Sequence, residues 1–215
     1  MGQRSMRTWK FIAAAGALLA SSVSCGDVVR TGRAPVMLII QSLTASPTGG
    51  FGANQFSGTL HSDVIVMITT PAPCTTATPC PTVYADLGQA ILSLVPKDIG
   101  TTASPATPSS NNQVTINRVH IAYVRADGHN VQGVDVPYEF DGAVTGTVPP
   151  TGTVTLSFEL VRHIAKEEPP LVGLIGTGQI ITTIAQVTFY GTDAVGNAVS
   201  VMGQIQVDFG NFGDQ

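Results

Sequence analysis

The feature that most narrows the fold is an alternation near the C-terminus. Over residues 197–210, Val199, Val201, Gly203, Ile205, Val207 and Phe209 share one parity, and Ser200, Met202, Gln204, Gln206 and Asp208 share the other. Successive side chains of an extended chain point to opposite faces, so this pattern predicts a half-buried strand. A helix would repeat its apolar residues every three to four positions instead. Residues 153–166 behave alike, with Val154, Leu156, Phe158 and Leu160 alternating with Thr155, Ser157 and Glu159. Residues 113–125 alternate too, but Val114 and Ile116 are out of phase with Val119, Ile121 and Tyr123. A bulge near Asn117-Arg118 absorbs that slip, because one extra residue returns both sets to one face.

Six further segments read as strands: 36–43, 55–61, 64–69, 88–95, 143–148 and 180–191. No amphipathic helix of useful length is present. The best helical alternative, 84–94, is interrupted by Gly88 and fits a strand as well. Asp193-Ala194-Val195-Gly196-Asn197 lies between two strong strands and reads as a hairpin connection, with Gly196 and Asn197 suited to positive φ. Asp127-Gly128 closes the 113–125 strand in a similar way, and 101–112 is a loop of Ser, Thr, Pro and Asn. About nine strands without an internal repeat or composition break predict one all-β domain, residues 35–215, built as an antiparallel sandwich.

The last hairpin, FYGTDAVGNAVSV, resembles the final two strands of bacterial immunoglobulin-like domains, in which D-x-x-G-N turns recur. The resemblance covers residues 186–209. It implies an immunoglobulin-like β-sandwich acting in adhesion, scaffolding or recognition, and it transfers no catalytic residue. The chain departs from antibody-type domains, because Trp9, its only tryptophan, lies outside the expected domain.

The N-terminus carries a different message. Arg4, Arg7 and Lys10 precede an apolar run from Phe11 to Ala20, followed by Ser21-Ser22-Val23-Ser24 and Cys25. Positive charge, a short apolar core and small residues in that order form a secretory signal, expected over residues 1–24, and the run is too short to span a bilayer comfortably. The placement of Cys25 resembles the lipobox of bacterial lipoproteins, which implies a lipidated Cys25 and a linker over 25–34. Ser22 stands where that pattern favours an aliphatic residue; Val23 and Ser24 match. An ordinary signal peptidase also accepts Ser22 and Ser24, and would leave Cys25 as a free thiol. Gly26 stands where Gram-negative lipoproteins retained in the inner membrane carry Asp, so the resemblance implies the outer membrane.

Without the leader, seven Lys and Arg face 14 Asp and Glu, a balance of −7 with no basic cluster. A nucleic-acid partner is disfavoured, since phosphate contacts need a concentrated positive face. The membrane partner is expected through the lipid alone, and an envelope protein is the further partner this reading allows. With Cys25 acylated, Cys74 and Cys80 remain as an even pair in a Pro- and Thr-rich loop, and a disulfide between them is expected in an oxidising compartment. The C-x5-C spacing without a neighbouring His is poor for zinc.

Chemistry-bearing clusters are sparse. Asp127, Asp135, Glu139 and Asp141 bring four carboxylates into one loop-rich stretch, a candidate calcium site whose spacing does not match an EF-hand. His61-Ser62-Asp63 joins two strand candidates and reads chiefly as a polar turn; His120 and His163 fall within expected strands, and His129 at a turn. There is no G-x-S-x-G elbow, H-E-x-x-H or phosphate loop, so no catalytic residue and no cofactor is assigned. The expected function is that of a non-catalytic envelope lipoprotein. A secreted calcium- or ligand-binding module is the alternative, and an envelope hydrolase is a less favoured third.

Overall fold

A computed structural model describes residues 33–106 and 109–213. The leader and Cys25 lie outside the described residues. The chain is predominantly strand, as the alternation predicts. In order come β1 (Val36–Ser46), β2 (Thr59–Asp63), β3 (Val66–Ile68), β4 (Cys80–Thr82), β5 (Asp86–Pro96), β6 (Gly100–Thr101) and β7 (Ser104–Pro105). They are followed by β8 (Val114–Val124), β9 (Phe140–Val148), β10 (Thr153–Val161), β11 (Ile180–Asp193) and β12 (Ala198–Gly210). Each of the nine expected segments overlaps one of these strands, though β2 begins four residues later than expected and runs on to Asp63; β4, β6 and β7 are short additions.

The strands form a three-stranded sheet, β1-β5-β10, and a five-stranded sheet, β2-β12-β11-β8-β9, with β3-β4 and β6-β7 as small ladders. One pairing departs from the expected antiparallel arrangement: β2 runs parallel to β12, from Thr59 opposite Gln206 to Asp63 opposite Gly210. The buried residues of both larger sheets belong to a single hydrophobic core. Phe158 of β10 and Phe189 of β11 meet edge to face with centroids 5.3 Å apart, joining one sheet to the other. Burying a Phe this completely contributes about 2–3 kcal/mol. Gly88 makes room for that contact, because a Cβ there would lie 2.5 Å from the Phe158 ring. Tyr123 of β8 adds a second tie, donating its hydroxyl to the Leu160 carbonyl at 2.6 Å while packing edge-on against Phe209.

The bulge falls where the phase slip places it. Tyr190 pairs with Arg118 and Gly191 with Ile116, so Asn117 has no opposite number on β11. Val114, Ile116, Val119, Ile121 and Tyr123 are consequently all buried. Beside the bulge the two backbones approach closely, and a Cβ on Gly191 would meet the Thr115 carbonyl oxygen at 2.4 Å.

In the β11–β12 hairpin Gly196 takes φ 86°, whereas Asn197 does not need a positive φ. Asn197 instead donates its backbone N–H to Asp193 Oδ1 at 2.7 Å and its side-chain amide to Oδ2 at 2.8 Å. The segment 153–166 requires a correction. Its strand ends at Val161, and a short helix, α1 (His163–Glu167), follows. His163 is therefore on a helix and exposed, not in a strand. The turn carries Lys166 inward, where it is 1% exposed. Alternation alone could not show that, because an interior partner holds Lys166 there.

Candidate functional site

The site is organised around β2, whose two faces hold unlike chemistry. Leu60 and Ser62 alternate with His61 along the strand, so the hydroxyl of Ser62 points inward and the imidazole outward. Asp63, at the strand end, is also buried.

On the inner side Ser62 donates its hydroxyl to Asp86 Oδ2 at 2.6 Å. The Lys166 ammonium lies 2.8 Å from the same Oδ2 and donates to the Asp63 carbonyl at 2.8 Å. The second Asp86 oxygen, Oδ1, has no hydrogen-bond partner at normal geometry. Burial pushes the Asp86 carboxyl above its ordinary range; the Lys166 charge and hydrogen bond, then Ser62, then a weak pull from the Thr48 backbone, oppose this without cancelling it. The Tyr123 phenol is raised as well, first by burial and then by the Asp86 charge. Lys166 thus reaches both sheets, Asp86 on β5 and the end of β2. No dissolved substrate reaches the trio, since Ser62, Asp86 and Lys166 are each 1% exposed or less.

The outer side is open. His61 stands edge-on between Phe51, centroids 6.1 Å apart, and Phe212, 5.5 Å apart. Its Nδ1 lies 3.6 Å from Asp208 Oδ2, and the Gln206 amide donates to both Asp208 oxygens at 3.0 Å. Beside it opens a cavity of about 290 Å³ lined by Pro47, Phe51, Gln55, Thr59 and His61 among others. Its lining combines the Phe51 ring with the polar side chains of Gln55, Thr59 and His61, and Ser57 turns its hydroxyl to the Thr59 carbonyl.

Of the four candidate calcium ligands, Asp127 and Asp135 engage partners of their own, whereas Glu139 and Asp141 share His120. Asp127 binds Arg125 through both oxygens and accepts the His129 backbone N–H. The Arg125 hydrogen bond, followed by that N–H, holds its carboxyl below the usual range. Asp135 accepts the Val131 N–H at 3.0 Å, closing its own turn. Glu139 and Asp141 both approach His120, at 3.7 and 3.2 Å, and Asp141 also meets Arg118 at 3.2 Å. Among the described residues no group of three or more His, Cys, Asp or Glu side chains is disposed to hold a metal ion.

Cys74 and Cys80 form a disulfide with Cα atoms 5.4 Å apart. Cys80 opens β4 opposite Ile68, so the bridge closes the loop between β3 and β4. Sequence reasoning missed Ser62, Asp86 and Lys166 as a unit, because nothing in a one-dimensional pattern links residues this far apart. No protein-family model, no curated protein and no solved structure matches this chain significantly.

Proposed function

We propose that this chain is a non-catalytic lipoprotein of the cell envelope, a single immunoglobulin-like β-sandwich anchored through Cys25 and acting in adhesion, scaffolding or recognition. The cysteine distribution carries the reading. Cys74 and Cys80 are joined, as suits an oxidising compartment, and Cys25 is left as the odd cysteine directly behind a leader of signal-peptide order. A lipid on Cys25 gives that odd cysteine a use, with about 0.8 kcal/mol of membrane affinity per buried methylene. Two larger sheets around one core support the sandwich. The trio of Ser62, Asp86 and Lys166 is sealed from solvent, as suits a structural role for it.

The test is the intact mass and membrane partitioning of the protein made in a lipoprotein-competent bacterium, beside Cys25→Ala. Acylated chain beginning at Cys25 in the membrane fraction, with Cys25→Ala released to the soluble fraction, is the expected result. An unacylated soluble wild type overturns the anchor. It would favour the second reading, a secreted ligand-binding module, for which the open cavity beside His61 is the supporting observation.

A further inference from the structure

We propose that Lys166 and Asp86 are a covalent cross-linking site, at which the amine and carboxyl condense to an intramolecular amide that ties β5 to α1. Four features of the trio support it. First, nucleophile and electrophile are already in contact, with Nζ 2.8 Å from Asp86 Oδ2 and both residues 1% exposed. Holding reactants so replaces a bimolecular encounter by a unimolecular step.

Second, the interior disfavours the ion pair. Taking two charges out of water is costly, and attraction between them repays it only when every remaining polar atom is satisfied. Asp86 Oδ1 is not. Moving one proton from Nζ to the carboxyl gives a neutral amine beside a neutral acid, the pair that can react. The raised Asp86 carboxyl favours that transfer.

Third, a hydrogen-bond donor stands at the leaving oxygen. Ser62 donates to Oδ2 at 2.6 Å. In the step, the Nζ lone pair forms a bond to Cγ and the Cγ–Oδ2 bond breaks. Oδ2 departs as water, taking its own proton and one given up directly by Nζ, with which it is in contact, while the Ser62 hydroxyl stays hydrogen-bonded to it as charge develops there. Nothing is oxidised or reduced, and no co-reactant is needed.

Fourth, the product fits its surroundings. The single N–H left on the amide keeps the Asp63 carbonyl, already 2.8 Å from Nζ, as its acceptor. Oδ1 becomes the amide oxygen, and the Ser62 hydroxyl, freed from Oδ2, can donate to it. Residues 86 and 166 are far apart in the chain, whereas the disulfide spans a separation of 6. The amide would therefore constrain the domain, and the disulfide only a loop.

Mass spectrometry of the wild-type protein, reduced and denatured, decides the matter without any variant. The expected mass is one water below that of the processed chain, and digestion should yield a branched peptide joining Asp86 to Lys166. Lys166→Arg should restore the full mass, and Ser62→Ala should lower the cross-linked fraction in freshly made protein. Full mass for a folded wild type overturns the proposal. So does a missing water without the branched peptide, since the loss then lies elsewhere.

Discussion

Asp86 and Asp127 carry the same side chain and each faces a cation, yet they sit in opposite regimes. Asp86 is sealed in the core with Lys166, and burial pushes its carboxyl up in spite of the neighbouring charge. Asp127 stands at an exposed turn with Arg125, and hydrogen bonds hold its carboxyl down. The contrast shows burial outweighing a neighbouring cation at Asp86, and hydrogen bonds prevailing at Asp127 where burial is slight. In the core the pair is a fixed element joining β5, α1 and the end of β2. At the exposed turn the charges are screened and replaceable.

The largest expected effect comes from breaking the interior pair. Lys166→Met leaves the Asp86 carboxyl buried with neither a cation nor a cross-link to hold it, and a loss of about 3–5 kcal/mol is expected in urea unfolding. A loss near zero would place the pair in reach of water. Next is Cys74→Ser with Cys80→Ser. Opening so short a ring should cost about 2 kcal/mol. Because the bridge spans only the β3–β4 loop, hydrogen exchange in β5, β11 and β12 should keep its order of protection.

Asp193 lies between the two extremes, because it is buried yet satisfied by the turn. Burial raises its carboxyl, but the Asn197 side chain and the N–H groups of Asn197, Val195 and Gly196 outweigh that and hold it below the ordinary value. A carboxyl lowered on folding adds stability above its unfolded pKa and loses it as the pH falls through its folded pKa. Asp193→Ala should therefore cost about 1.5–2 kcal/mol near neutral pH, and the difference from wild type should shrink below about pH 4. A difference that grows in acid would contradict the turn's hydrogen bonding. The smallest effect belongs to the exposed carboxylates. Asp127→Asn, Glu139→Gln and Asp141→Asn should leave the urea midpoint unchanged within error, and millimolar calcium should not move the Tm. A calcium-dependent rise abolished by Asp135→Ala would show that these carboxylates act together after all.

The same contrast explains what could be read from the sequence. Strands with one wet and one dry face announce themselves, so β12 is legible from Val199 to Phe209, and the bulge at Asn117 from the slip between Ile116 and Val119. The Asp193 turn is legible because its Gly and Asn serve local geometry. Ser62, Asp86 and Lys166 left no such mark. Each looks like an ordinary surface residue, and what makes them a unit is the meeting of β2, β5 and α1. The parallel pairing of β2 with β12 was hidden for the same reason, since register between distant strands is set by the assembled core. The alternation also continued on paper past Val161, where the chain instead turns into α1 and brings Lys166 to Asp86.

The contrast between core and rim is tested most directly by following every Asp and Glu carboxyl carbon by NMR through an acid titration of the folded protein. Asp127 and Asp193 should titrate below the ordinary carboxylate range, while the Asp86 carbon should stay still where they move. An Asp86 carbon that titrates with the exposed carboxylates would contradict the sealed interior.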